Sequence, residues 1–254
     1  MHHPLCRLAV LLGVATTPAF ADQATEQGWS GSGELGLAVS RGNARSENLN
    51  AALKFKREDG IWRHRFSLAA LRAKGEVESD FDGNGVPERR FVLNANRYEL
   101  GASSAIRMNE RAYWIGALRH ERDDFASFDR QTSFALNFGY AVIDDAATTL
   151  GVEAGPGYRR TRDAATGSSQ GEAIFRAQID FEHAITPNTT LGNLALVESG
   201  ADNTFFQNDF GLKVAMNSKM ALKAGIQLRH NSEVDPGTER TDTLTTLNLV
   251  YSFR

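Results

Sequence analysis

Between Thr241 and Phe253 the chain alternates residue by residue. Thr243, Thr245, Leu247, Leu249, Tyr251 and Phe253 fall in one phase, and Asp242, Thr246, Asn248 and Ser252 in the other. A period of two marks a β-strand with one apolar and one polar face. The same period recurs upstream and predicts twelve strands, at about 29–40, 47–57, 61–72, 91–103, 111–122, 131–142, 148–159, 172–184, 189–198, 205–216, 220–231 and 241–253. The cleanest, at 131–142, sets Phe134, Leu136, Phe138, Tyr140 and Val142 against Gln131, Ser133, Asn137 and Gly139. The strand at 172–184 sets Phe175, Ala177, Ile179 and Phe181 against Arg176, Gln178, Asp180 and Glu182.

The connections sort by parity. Short turns centred on Asp-Gly, Met-Asn-Glu, Asp-Asp, Thr-Pro-Asn and Asn-Ser-Lys alternate with mostly longer polar loops at 73–90, 123–129, 161–171 and 232–240. The arginine-rich RGNAR and the brief GADN connections are the exceptions on the long side. An even strand number, strands longer than the usual five or six residues, and one side of short turns together predict an all-β fold. The expected architecture is a 12-stranded antiparallel up-and-down transmembrane β-barrel of the outer-membrane type, over residues 29–254. A soluble periplasmic β-sandwich shares the alternation, because it too needs one apolar face per strand. Inside the strand at 148–159, Gly155-Pro156-Gly157 predicts a bulge, since proline cannot donate to a ladder.

Targeting agrees with the barrel. Arg7, the apolar run from Leu8 to Ala15 and the small-residue site Ala19-Phe20-Ala21 read as a signal peptide at 1–21, cut before Asp22, with a short segment 22–28 before the first strand. No stretch is long and apolar enough for a spanning helix. The only cysteine, Cys6, lies inside the signal, which leaves no disulfide framework. The 28 basic residues, less Arg7, face 31 acidic ones, and this balance excludes the basic signature of a nucleic-acid binder. An apolar fraction of 41% suits a wall in which only alternate residues face lipid.

The inward phase carries the candidate chemistry. It holds Glu34, Lys54, Arg63, Arg65, Arg97, Glu99, Arg119, Glu121, Glu153, Arg176, Asp180, Glu182, Asp209, Lys213, Lys223, Arg229 and Asp242. Charges of both signs either surround a narrow aqueous path or cross-pair and close the lumen. On the outward phase Trp29, Trp62, Trp114, Tyr140, Tyr251 and Phe253 predict an aromatic girdle at the periplasmic interface. His64, His120, His183 and His230 also fall outward near strand ends, which reads as interfacial contact. A lipid-facing catalytic site would need a serine beside a histidine, and the expected neighbour of His120 is Thr132, so no enzyme is expected. Asp80, Asp82 and Asn84 open like a calcium loop, but its twelfth position is Phe91 where a bidentate glutamate belongs. That segment reads as a polar turn, and no cofactor is implied. The expected partners are outer-membrane lipid and lipopolysaccharide, with the barrel-assembly machinery engaged through the C-terminal strand.

Three segments carry a family resemblance: SRGNARSENLNAALKFKRE followed by W-R, HERDDFASFDRQT, and GYAVIDDAATTLGVEAGPGYRR. The most specific parts are the turn at Gly42-Asn43, the stretch from Glu121 to Arg130, and the block from Glu153 to Arg159. Together they resemble domain-of-unknown-function family 481, whose members are described as salt-induced outer-membrane proteins, over essentially all of the mature chain. The resemblance implies an outer-membrane barrel and carries no agreed substrate or activity. Arg254 departs from the terminal aromatic that closes such barrels.

Overall fold

The computed structural model describes residues 28–40, 46–80, 83 and 85–253. The expected signal peptide, the RGNAR connection, Asp82, Asn84 and Arg254 lie outside the described residues. Twelve strands follow in order: β1 (Gly28–Ser40), β2 (Ser46–Asp59), β3 (Trp62–Ser79), β4 (Glu88–Arg107), β5 (Ala112–Asp123), β6 (Phe128–Asp144), β7 (Thr148–Asp163), β8 (Ser169–Thr186), β9 (Thr189–Ser199), β10 (Thr204–Ala215), β11 (Met220–Asn231) and β12 (Thr241–Phe253). Each pairs antiparallel with its chain neighbours, and β1 pairs with β12 to close the wall. A single closed sheet replaces the two-layer sandwich, and closure leaves no edge of unpaired backbone groups.

The packing is inverted relative to a soluble protein. Leu37, Leu247 and Tyr158 are 70%, 62% and 57% exposed on the outer face, whereas Arg159, Glu121, Glu198 and Asn137 are at most 1% exposed inside. Charged residues are almost never fully buried without partners, and contiguous apolar surface of this extent marks a lipid-facing wall. The apolar phase therefore belongs outside and the polar phase in the lumen. Among the described residues no helix is long and apolar enough to cross a membrane.

Several strands outrun their expected bounds. The expected loop 73–90 is mostly a hairpin, in which β3 and β4 stay paired from Lys74↔Leu93 to Ser79↔Glu88. Alternation fades there because neither face needs lipid once the ribbon leaves the wall, while the backbone ladder continues regardless. Asn94 is skipped at the register shift between Ala73 and Lys74, a one-residue bulge on β4. Strands β6, β7 and β8 likewise extend into the loops expected at 123–129 and 161–171.

The bulge expected at Pro156 is absent. Pro156 pairs with Phe175 of β8, and the β6–β7 register is the same at Ala135↔Gly157 as at Phe138↔Ala154. The two intervening rungs are missing from the ladder, so the missing proline N–H is absorbed by a local gap rather than an extra residue. Gly155 and Gly157 make this possible, because a Cβ on either would lie 2.1 Å from the Leu136 carbonyl oxygen and 2.6 Å from that of Phe134.

The closing ladder is short. It runs only from Gly31↔Phe253 to Leu35↔Leu249, whereas the β1–β2 ladder runs from Gly28 to Ser40. On the outer face the Phe253 ring covers Gly31 and meets Phe55 edge-on at 5.8 Å, which adds side-chain packing where backbone pairing is limited.

Candidate functional site

Odd-numbered strands run from the end of the barrel that holds both termini toward the opposite, loop end. The lumen divides by this height. Toward the loop end, Arg119 and Glu121 stand two apart on β5 and therefore share the inward face. Glu121 receives the Arg229 guanidinium from β11 at 2.5 Å, and Arg119 also donates to Glu121. Glu198 on β9 accepts from Arg176 on β8 at 2.8 Å and from the Ser133 hydroxyl on β6 at 2.7 Å, with Arg119 3.7 Å away. Arg159 on β7 donates to Glu172 at 3.1 and 2.5 Å and to the backbone carbonyls of Glu198 and Asn203. Phe205 on β10, wholly buried, lies between two guanidinium groups, with Arg119 4.4 Å and Arg229 5.2 Å from its ring centre. Arg97 on β4 reaches across to Gln227 on β11, which in turn donates to Asp209.

This cluster fills the lumen between β5 and β11. Buried ions lose hydration, and only partners with good geometry offset that loss. The outer connections close over it. Asn203 bonds to Asn231 and accepts from Ser232 and from the Glu233 amide, and the Asp235 amide donates to Ser127. Outside the strands, hydrogen bonds from the Asn96 amide and the Arg122 guanidinium hold the Asp124 carboxyl below its ordinary range.

Toward the terminal end several of the same residue types stay wet, although Glu153 and Asn248 are buried there. Lys54, Arg65 and Asp180 expose 56%, 40% and 43% of their side chains, and Arg65 faces Asp180 across the lumen at 3.8 Å. Glu34 on β1 is held by Lys54 at 3.3 Å and by Lys223 at 3.0 Å. Asn248 links to both Glu34 and Asn50. Tyr113 donates to Glu153 at 3.0 Å, and Arg63 stacks over the Tyr113 ring at 5.8 Å. Glu182 and Lys213 are exposed at this end, and Asp242 is exposed at the other.

Trp29, Trp62, Trp114, Tyr140 and Tyr251 stand on the outer face at the terminal end, 40–49% exposed, with Phe253 beside Tyr251. Three outward histidines each face a threonine directly opposite: His120–Thr132, His183–Thr148 and His230–Thr241, at 2.8–2.9 Å. The Asp80 carboxylate accepts the Gly83 and Gly85 amides, which uses it to shape its own turn. Among the described residues no group of three or more metal-ligating side chains comes together.

Sequence reasoning missed Arg159, Glu172, Glu198 and Phe205. Arg159 was findable, because it alternates with the outward Tyr158. Glu198 was hidden, since Leu194 and Leu196 share its inward phase and make that face of β9 read as apolar. Phe205 breaks the polar pattern of the lumen, and no local signal marks it.

A closed antiparallel wall, apolar outside and charged inside, defines an outer-membrane-type β-barrel protein. The chain belongs to the family described as protein of unknown function DUF481, whose sequence profile matches residues 33–253. It is 24% identical over 160 residues to the uncharacterized protein YdiY of Escherichia coli strain K12. That alignment spans 63% of each chain, so the relative is matched over less than two thirds of its length. Among solved structures the chain is similar to the NanC porin, at a TM-score of 0.53 and 11% identity, covering 89% of this chain and all of that one. An outer membrane channel from Pseudomonas putida F1 aligns over 89% of this chain and 95% of its own, at 11% identity and a TM-score of 0.49. At 11% identity the likeness to the NanC porin shows the fold alone.

Proposed function

We propose that the chain is exported by a cleaved signal peptide at 1–21, inserted in the bacterial outer membrane with its termini in the periplasm, and forms a narrow channel for small hydrophilic solutes. Its surroundings are outer-membrane lipid and lipopolysaccharide, and its β12 strand is the segment offered to the barrel-assembly machinery. One observation carries the channel reading: charge lines the whole lumen, water-exposed at Lys54, Arg65 and Asp180 toward the terminal end and most tightly buried in a constriction at the loop end. A wet vestibule leading to a charged constriction is the arrangement that selects ions and polar solutes. No catalytic role is proposed.

Planar bilayer recording tests this. Small discrete conductance steps are expected, enlarged when Glu121→Ala and Arg229→Ala are combined so that no lone charge remains. Silent bilayers for both proteins, with unchanged solute uptake in a deletion strain, overturn it. A second reading, a non-conducting barrel acting through its outer loops, is favoured by the β3–β4 hairpin that continues past the wall, braced by the Arg89–Glu78 ion pair at 3.0 Å. On that reading, deleting the hairpin abolishes surface binding while the barrel still folds.

A further inference from the structure

On the outer wall at the terminal end, three strands set their residues in rows. Trp29 of β1 lies opposite Arg57 of β2, which lies opposite His64 of β3. In the next row toward the turn, Asp59 lies opposite Trp62. The row on the other side is apolar, with Phe55 opposite both Gly31 and Phe66. Together Trp29, Arg57, Asp59, Trp62, His64 and Phe66 surround an open cleft of about 400 Å³.

The chemistry of this cleft differs from that of a plain aromatic girdle. The Arg57 guanidinium donates to Asp59 at 3.1 Å and lies 5.9 Å from the Trp29 ring centre. Trp62 stacks on His64 at 6.0 Å with planes 6° apart. Trp114, the third tryptophan of the girdle, shows the contrast: its directly opposite residues are Ile106 and Phe138, neither of them charged. An outward ion pair is costly against hydrocarbon, and the cost fades only toward the interface. At headgroup height the same pair becomes a template. Its guanidinium presents donors to a phosphodiester, with His64 alongside, and its carboxylate accepts from an ammonium that also sits over an indole face. Phosphate and ammonium must then be a few atoms apart in one ligand. The apolar row of Phe55 and Phe66, continued by the outward Leu68, gives that ligand's acyl chains a track into the membrane.

We propose that this cleft binds one phospholipid of the periplasmic leaflet through a phosphoethanolamine headgroup. The phosphate lies against Arg57 and His64, and the primary ammonium donates to Asp59 beside Trp62. The proposal rests on the outer-membrane location above but not on conduction.

Native mass spectrometry tests it on the folded barrel, released from nanodiscs holding equal phosphatidylethanolamine, phosphatidylglycerol and phosphatidylcholine. Phosphatidylglycerol lacks the ammonium, and phosphatidylcholine has no N–H to give Asp59. One retained phosphatidylethanolamine is expected, in preference to each of the others by about fivefold, the scale of one cation–π contact and one exposed ion pair. Asp59→Asn should remove the preference, Arg57→Ala should lower the retention of all three lipids, and Trp114→Phe should leave both intact. Equal retention of all three lipids by the unaltered protein, or a preference that survives Asp59→Asn, overturns the proposal. Heat-modifiable gel migration reports separately whether each protein is a folded barrel, and Asp59→Asn carries the test if Arg57→Ala does not fold.

Discussion

The two halves of the lumen use the same side chains in opposite ways. At the loop end Arg119, Glu121, Arg159 and Glu198 are at most 4% exposed, and each has partners on other strands. At the terminal end Lys54 and Arg65 line the same tube with about half their side-chain surface in water. The difference lies in what surrounds the charges. Phe205, Ile174, Leu196 and Ala135, all buried, displace water from the loop half. On the β3 side of the terminal half, the inward Ser67 and Ala69 leave space instead. Where water is excluded, a charge interacts strongly and an unpaired one is costly; where water remains, a pair contributes little. One half therefore locks its charges in place, and the other leaves them open to water.

Substitutions can break this comparison, and the largest effect is expected at Glu198. Glu198→Ala strands Arg176 and weakens the hold on Arg119, and should cost about 3–5 kcal/mol in urea unfolding of the vesicle-inserted barrel. A loss below about 1 kcal/mol would mean that the loop half is as wet as the other. Next comes Phe205→Leu, which keeps an apolar filling but removes the ring between two guanidinium groups. A loss of about 1–2 kcal/mol is expected by the same measurement.

At the terminal end the order of effects reverses. Arg65→Ala combined with Asp180→Asn should change stability by less than about 1 kcal/mol, since the pair is open to solvent. Ion selectivity in bilayers should respond more, and Lys54→Glu should move the reversal potential toward cation preference. An unchanged reversal potential would show that the wet half is off the conduction path.

The smallest effect concerns pH. Hydrogen bonds from Asn96 and Arg122 lower the pKa of Asp124 in the folded protein, so its contribution to stability is present above the ordinary carboxylate value of 3.8 and is lost as pH falls through the lower folded value. Asp124→Asn should therefore reduce the acid sensitivity of amide protection in the connection 124–127. Equal acid profiles for the two proteins would show that the loop end is held by the lumen cluster alone.

Much of the wall was legible along the chain. Phe134, Leu136 and Phe138 were expected outward and are 42–56% exposed there, because alternation is a property of the strand itself and needs no partner. Legibility failed where a second face stopped mattering. Beyond the membrane, Lys74 to Ser79 keep their ladder without any apolar phase, so a hairpin read as a loop. It failed again at Pro156, because whether a missing donor needs a bulge depends on how closely β6 approaches, and that is set by neighbours in space. The charged lining could be listed but not sorted. Nothing around Glu121 distinguishes it from Glu182, yet one is buried and the other exposed.

The sequence by itself determined that the chain would form long strands with one apolar and one charged face, because the side-chain period of a strand is written in consecutive residues, and the parity of its turns pointed to a barrel. Only the tertiary structure decided which charges meet. Glu121 and Arg229 lie 108 residues apart, and Arg65 and Asp180 come from opposite sides of the tube. Closure of β1 on β12 sets the stagger that brings each pair to a common height. Whether a lumen charge is locked or left in water follows from that stagger and from which bulky side chains arrive beside it.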